Sequence, residues 1–372
     1  MANIAKRSDG SWRARYRDTA GKEHSRHFAR KVDAQHWVDS VTTAVGTGSY
    51  VDPSRAKATV AGMAEQWYAG KINLRATTRA RYESALRVHV LPRWGHTQLD
   101  RVEHGEIQRW LADLAVDGQS GASVRKAYGV LSSILDLAVR ERRLASNPSN
   151  GVNLPALNER RRRYLTAEQV VQLADSAGTG RLPVLVLAYC GLRWSELAGL
   201  RVHTVDLMRR RLTIERAVTE VNGGRLEWNS PKNHERRTVP LPRFLAAELM
   251  AHLANRSPDD LLFTGTNGGV LRNRNARRDW FNAAARAIGE PGLTPHELRH
   301  TAASLAVSAG ANVKAVQRML GHASAAMTLD RYADLFDDDL DAVAERLDAV
   351  YLRAAHANGE VIKLAATRGS RP

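Results

Sequence analysis

Cysteine is almost absent from this chain, with Cys190 the single one in 372 residues. No intramolecular disulfide can form, and a thiol at the end of the apolar run Leu185 to Cys190 reads as a packed core group, not a nucleophile. Acidic residues are also short, 39 Asp and Glu against 55 Lys and Arg, which leaves a formal net charge of +16. Such an excess points to a polyanionic partner. Long apolar runs are missing: nothing approaches the roughly eighteen residues of a membrane span, and Met1 to Gly10 lacks a signal-peptide apolar stretch. No membrane contact and a cytoplasmic location are expected. Disorder throughout is excluded by the 43% hydrophobic content, and the length suits two or three cores.

Three parts are expected. In residues 1–55, Trp12 to Arg17 alternates bulky and basic side chains, a turn follows at Thr19 to Lys22, and His24 to Arg30 returns, which predicts a hairpin. Ala34, Trp37, Val38 and Val41 then recur at helical spacing and would cover one face of so small a sheet. Arg13, Arg15, Arg17 and Arg26 on the strands suit phosphate or groove contact. A bland packing module is the plainer alternative. After a linker around Pro53, residues 58–150 read as all helical, the clearest helix running from Ser123 to about Arg143 with an apolar stripe of Ala127, Val130, Leu131, Ile134, Leu135, Ala138 and Val139. Arg125 and Lys126 lie off that stripe and are candidate DNA contacts, though a charged helix face is more often only solvated. Residues 160–372 mix helices and strands: Thr166 with Gln169 predicts a capping-box helix start, and strands are expected at Arg211 to Val221, Arg225 to Ser230 and Arg236 to Leu241.

Within this last part stand three short stretches: Cys190-Gly191-Leu192-Arg193-Trp194-Ser195-Glu196-Leu197, His296-Glu297-Leu298-Arg299-His300-Thr301, and Leu320-Gly321-His322 followed by Asp330-Arg331-Tyr332. In order and content they resemble the catalytic boxes of the tyrosine recombinase family, over roughly Thr166 to Leu352, and the upstream plan is similar to that of phage integrases. The resemblance implies a multidomain fold: a small β-sheet plus helix module for arm-type DNA sites, an all-α core-binding domain, and a mixed α/β catalytic domain. Its implied activity is site-specific cleavage and rejoining of DNA through a 3′-phosphotyrosyl intermediate, integrating or excising a mobile element.

Breaking a phosphodiester without a metal needs a nucleophile, charge on the non-bridging oxygens and a proton for the leaving oxygen. Guanidinium is always charged and forks onto phosphate oxygens, so Arg193 and Arg299 suit the second task. The resemblance makes Tyr332 the nucleophile. An ordinary phenol, with a pKa of about 10, needs positive charge and a proton acceptor nearby. His296, three residues from Arg299 on the same helix face, is the candidate base, and His322 would donate a hydrogen bond to the phosphate. The family also uses a lysine on a hairpin turn as general acid. Lys232 lies between two expected strands and is the only lysine between Lys126 and Lys314, the latter being in an expected helix.

No cofactor or metal is expected. Double-stranded attachment-site DNA and a homotetramer assembled on it are the implied partners, with room for DNA-bending and directionality proteins. His296-Glu297-Leu298-Arg299-His300 also satisfies the H-E-x-x-H pattern of zinc proteases. Against that, Thr294-Pro295-His296-Glu297 reads as a helix start in which Glu297 closes a capping box, and Ala303 and Ala306 stand where an extended zinc motif needs Gly and His. A DNA-binding protein that has lost catalysis is the other alternative; every catalytic position being filled argues against it. After Tyr332, the residues Leu340, Val343, Leu347, Val350 and Tyr351 recur at helical spacing and want a partner, in the same chain or a neighbouring subunit.

Overall fold

The computed structural model describes residues 2–18, 21–47, 50–157, 163–230, 236–333 and 339–357. They fall into two compact units, residues 1–160 and 161–372.

The first unit opens with an antiparallel sheet in the order β1 (Asn3–Lys6), β2 (Trp12–Arg17), β3 (Glu23–Phe28). The strand period of two sends Trp12, Ala14 and Tyr16 to one face, where α1 (Lys31–Gly46) covers them and Ala14, Ala34 and Val38 are buried together. Arg13, Arg15 and Arg17 therefore share the opposite face. Arg26 does not join them: the register pairs it with Ala14, on the helix-covered side, where its guanidinium lies 5.4 Å from the centre of the Phe28 ring. Strand β1 was not foreseen.

Helices α2 (Pro53–Ala56), α3 (Val60–Ala69), α4 (Ala76–Ala85), α5 (Leu91–Trp94), α6 (His104–Val116) and α7 (Gly121–Arg140) complete the unit. Ser120 caps α7 by accepting from the Ser123 N–H, so the helix starts slightly before the expected Ser123. Six of the seven expected stripe residues are buried; Val139 is half-buried, one position round from the centre of the face.

The second unit is built on α9 (Arg181–Cys190), which is apolar all round and buried from Pro183 onward except at Tyr189. Against it pack α8 (Ala167–Ser176) and α14 (Glu297–Ser308). The Thr166 and Gln169 capping box that starts α8 is formed in both directions. After α10 (Trp194–Leu197), β4 (Val205–Asp206), β5 (Arg211–Ile214) and β8 (Arg237–Pro240) make a three-stranded antiparallel sheet, while β6 (Ala217–Glu220) and β7 (Leu226–Asn229) make a separate hairpin. The expected strand Arg211 to Val221 is thus two strands in two sheets. At the break Gly199 lies against the backbone of Arg216 and Ala217, where an added Cβ would come 3.1 Å from the Arg216 carbonyl oxygen.

Helices α11 (Arg243–Leu253), α12 (Asn273–Ala276) and α13 (Asn282–Ala287) lead to α14, then α15 (Val313–Leu320), α16 (Ala325–Tyr332) and α17 (Asp339–Ala357). Helix α14 starts at Glu297, later than the expected Thr294, because residues 294–297 form a preceding turn. The Glu297 carboxylate nevertheless accepts from both the N–H and the hydroxyl of Thr294, the structural task the sequence suggested for it. On α17, Leu347, Val350 and Tyr351 are exposed.

Candidate active site

Two left-handed glycines aim the second unit's site. At the end of α9, Gly191 (φ 66°) turns the chain so that Arg193 leads into α10; a Cβ there would come 2.7 Å from Leu320 Cδ2. At the end of α15, Gly321 (φ 63°) presents His322, and a Cβ there would press on the Arg237 side chain at 2.9 Å. Both helices end at the same place.

Their exposed carbonyls explain where Arg299 sits. It is 3% exposed and donates at 2.6 Å to the Gly191 carbonyl and at 2.6 Å to the Leu320 carbonyl, so its charge lies between two helix C-termini, each carrying partial negative charge. Burial, then the neighbouring Arg193, push its guanidinium down to about 9, with Glu196 opposing, and it stays charged at neutral pH.

Arg193 is held from below by Glu196, which accepts from its backbone N–H at 2.9 Å and its guanidinium at 2.8 Å. Glu196 is 1% exposed and shared: Arg237 of β8 forks onto both carboxylate oxygens at 2.8 and 2.6 Å and also donates to the Met319 carbonyl. Burial alone would raise the Glu196 pKa, but the bonds and charges of Arg237 and then Arg193 outweigh it and bring it down to about 2. With one buried carboxylate between two guanidiniums, the cluster keeps a net positive charge.

Tyr332 closes α16 and is 1% exposed. Its hydroxyl lies 2.8 Å from Nδ1 of His300, which is itself 7% exposed. On its face the His322 ring is stacked almost parallel, centroids 6.3 Å apart. His322 Nδ1 bonds the Thr328 hydroxyl at 2.9 Å, and burial, followed by Arg299, Arg193, Arg331 and Arg237, pushes this imidazole down to about 4. A neutral ring accepting from Thr328 retains an Nε2–H to donate. His296 is exposed, its ring edge-on to His300 at 5.1 Å, and its pKa is lowered by burial of part of the ring and by Arg299, Arg331 and Arg193.

The structure thus brings together Arg193, Arg299, His296, His322 and Tyr332. Lys232 lies outside the described residues. Arg237, Glu196 and His300 were not singled out by sequence reasoning; the last two stand inside the quoted boxes, and only the expected strand Arg236 to Leu241 flags Arg237. The zinc reading finds no support in placement: among the described residues, the one group of His and carboxylate ligand atoms close enough for an ion is Asp18, His24 and Asp52, in the other unit. In that unit Arg13, Arg15 and Arg17 stand on the sheet face opposite α1, Arg13 half-buried and Arg15 and Arg17 each 3.7 Å from the Glu23 carboxylate. Arg125 is half-buried and donates to the Pro155 carbonyl at 2.9 Å, while Lys126 is exposed.

Comparison with known proteins fits this arrangement. The sequence model of the Phage integrase family matches residues 163–338, and that of the phage integrase N-terminal SAM-like domain matches residues 59–115. The chain belongs to the phage integrase family of tyrosine recombinases. As a member it is a site-specific DNA recombinase, an enzyme that breaks and rejoins DNA strands. It is 27% identical over 319 residues to the integrase of Mycobacterium phage D29, covering 82% of this chain and 84% of that protein. To the putative prophage phiRv2 integrase of Mycobacterium tuberculosis (strain ATCC 25618 / H37Rv) it is 27% identical over 351 residues, 88% of this chain and 90% of that one. Its fold is that of the Tn1549 transposon integrase solved with transposon right end DNA (TM-score 0.67, 21% identity, 78% of this chain and 100% of the other). A lambda integrase dimer bound to a COC' core site shares it too (TM-score 0.60, 19% identity, 91% and 95%). Among the described residues, no helix is long and apolar enough to cross a membrane.

Proposed function

We propose that this integrase cleaves DNA with Tyr332, whose phenol oxygen attacks a phosphorus held by Arg193 and Arg299, leaving a 3′-phosphotyrosyl link and a free 5′-hydroxyl. The observation that carries the reading is the meeting of a buried tyrosine with two arginines and two histidines from three boxes spread over residues 190–332. The arginines neutralise charge that grows on the non-bridging oxygens, and they need not reorganise because Glu196 and two helix ends already hold them. Neutral His322 donates Nε2–H to the same phosphate. Lys232 supplies the proton for the departing 5′-oxygen. For the phenol's own proton two imidazoles compete: His296, on the exposed side, and His300, already on the hydroxyl.

Three parts divide the work. Residues 1–55 take arm-type sites through Arg13, Arg15 and Arg17; residues 58–150 clamp the core site, Lys126 reaching phosphate; residues 160–372 carry the chemistry. The lambda integrase is solved as a tetramer on a Holliday junction, and a tetramer on attachment-site DNA is the proposed working form here, with the exposed Leu347, Val350 and Tyr351 of α17 docking on a neighbouring subunit. It works in the cytoplasm on host DNA. The test is Tyr332→Phe, which loses only the phenolic oxygen: DNA binding should persist while the protein–DNA adduct that survives denaturant disappears. An adduct formed by Tyr332→Phe would place the nucleophile elsewhere.

A further inference from the structure

We propose that His300, and not His296, is the immediate proton acceptor of the nucleophile, an inference that rests on Tyr332 attacking the phosphate. The pairing is geometric. Tyr332 Oη lies 2.8 Å from His300 Nδ1, and both groups are buried, so bulk water does not reach the hydroxyl to serve as base. Helix α14 carries the imidazole, and the His322 ring lies nearly parallel to the phenol with centroids 6.3 Å apart. His296, one turn earlier, meets the His300 ring and is open to solvent.

In cleavage the Tyr332 O–H bond breaks and its proton goes to His300 Nδ1, while the oxygen's electron pair forms the O–P bond. The P–O5′ bond breaks, and its oxygen leaves with the proton of the general acid. Rejoining reverses each transfer, His300 returning the proton to the released phenolate. Accepting at Nδ1 requires a neutral ring protonated on Nε2.

On the elements around the pair, cationic side chains outnumber carboxylates. Arg299 and His296 share its helix, Arg331 and Tyr332 come from α16, His322 follows α15, Arg193 precedes α10, and Cys190 ends α9 with its thiol pushed up to about 12 by burial. Of the acidic groups on these helices, Glu196 is taken up by Arg193 and Arg237, Glu297 is bonded to Thr294 and Asp330 is exposed; Lys314 and Arg318 on α15 are exposed as well.

The probe is a nicked suicide duplex carrying the core attachment sequence taken from the DNA that flanks the gene. Full-length His300→Asn keeps a polar atom near the Nδ1 position but cannot take up a proton at neutral pH. Single-turnover adduct formation should slow by about 10²- to 10⁴-fold, the usual size of general-base catalysis. Its rate should then climb about tenfold per pH unit between pH 6 and 9, where wild type levels off. Replacing Tyr332 with a fluorinated tyrosine of lower pKa should restore part of the loss, a rescue that a merely structural role would not give. His296→Asn, whatever its effect on the rate, should not acquire the rising pH dependence. The proposal is overturned if His300→Asn cleaves within about threefold of wild type with the same profile, or if His296→Asn is the variant that acquires the rising one. Duplex binding and a thermal melt check folding; His300→Gln is read the same way should Asn fail that check. A residual slow adduct at Tyr332 leaves the nucleophile assignment standing, so the two readings fail separately.

Discussion

Glu196 is bonded to two arginines, and removing them one at a time should give opposite phenotypes. Arg237 is 12% exposed in its side chain and makes the carboxylate's bidentate pair; Arg193 is 25% exposed and makes one side-chain bond. Lowering the Glu196 pKa from its ordinary 4.5 to about 2 corresponds to about 3 kcal/mol of preference for the charged form in the folded chain. Arg237→Ala strands that buried carboxylate with Arg193 alone, and breaking a buried pair from one side costs about 3–5 kcal/mol. For a unit of this size the melting transition should drop on the order of 10 °C. Arg237→Lys keeps the charge without the fork and should fall between. Arg193→Ala, by contrast, should lower the transition by only a few degrees, about 1–2 kcal/mol, while cleavage is lost.

A pH series sharpens this. A carboxylate depressed by folding contributes stability that is complete above its unfolded pKa near 4.5 and is lost as pH falls through about 2. The gap between wild type and Arg237→Ala should therefore be full at pH 6 and shrink as pH is lowered below 4.5. Melting curves of the full chain by circular dichroism, with adduct yield in parallel, measure both. If Arg237→Ala melts within about 2 °C of wild type at pH 7, Glu196 does not depend on Arg237 and the argument is wrong.

Two further predictions concern parts whose roles rest on proposal. Lys232→Ala should slow cleavage of an ordinary phosphodiester far more than cleavage of a substrate whose leaving 5′-oxygen is replaced by sulfur, since a thiolate departs without a proton; equal losses would make Lys232 a phosphate-binding charge. Deleting residues 1–55 should abolish recombination that needs arm sites, leave core cleavage largely intact, and flatten the salt dependence of binding to full attachment DNA, because Arg13, Arg15 and Arg17 go with it; loss of core cleavage would refute that division.

How much of this was legible in the sequence follows from the range of the interactions. Local periodicity located α1, α7 and the Thr166 capping box, because side chains three or four apart on a helix decide burial and capping among themselves. The boxes, read through the family resemblance, drew attention to Arg193, Arg299, His296, His322 and Tyr332, and these five come together in the second unit. What stayed hidden depends on register and on contacts distant in the chain. Arg26 alternates in step with neighbours that read as one basic face, yet cross-strand pairing with Ala14 turns it to the covered side. Arg237 is one of many arginines in a basic chain until β8 carries it to Glu196, forty-one positions away. His300 shows the same limit at shorter range. Helical spacing puts His296 and His300 on nearly the same face, and spacing alone cannot say which reaches a tyrosine thirty-two residues on. That choice is made by α16, whose Ser324 cap and final turn deliver the Tyr332 hydroxyl one helical turn past the histidine that the motif brings forward. A motif fixes which groups the reaction requires, but the packing of the helices decides which of two equivalent groups receives the proton.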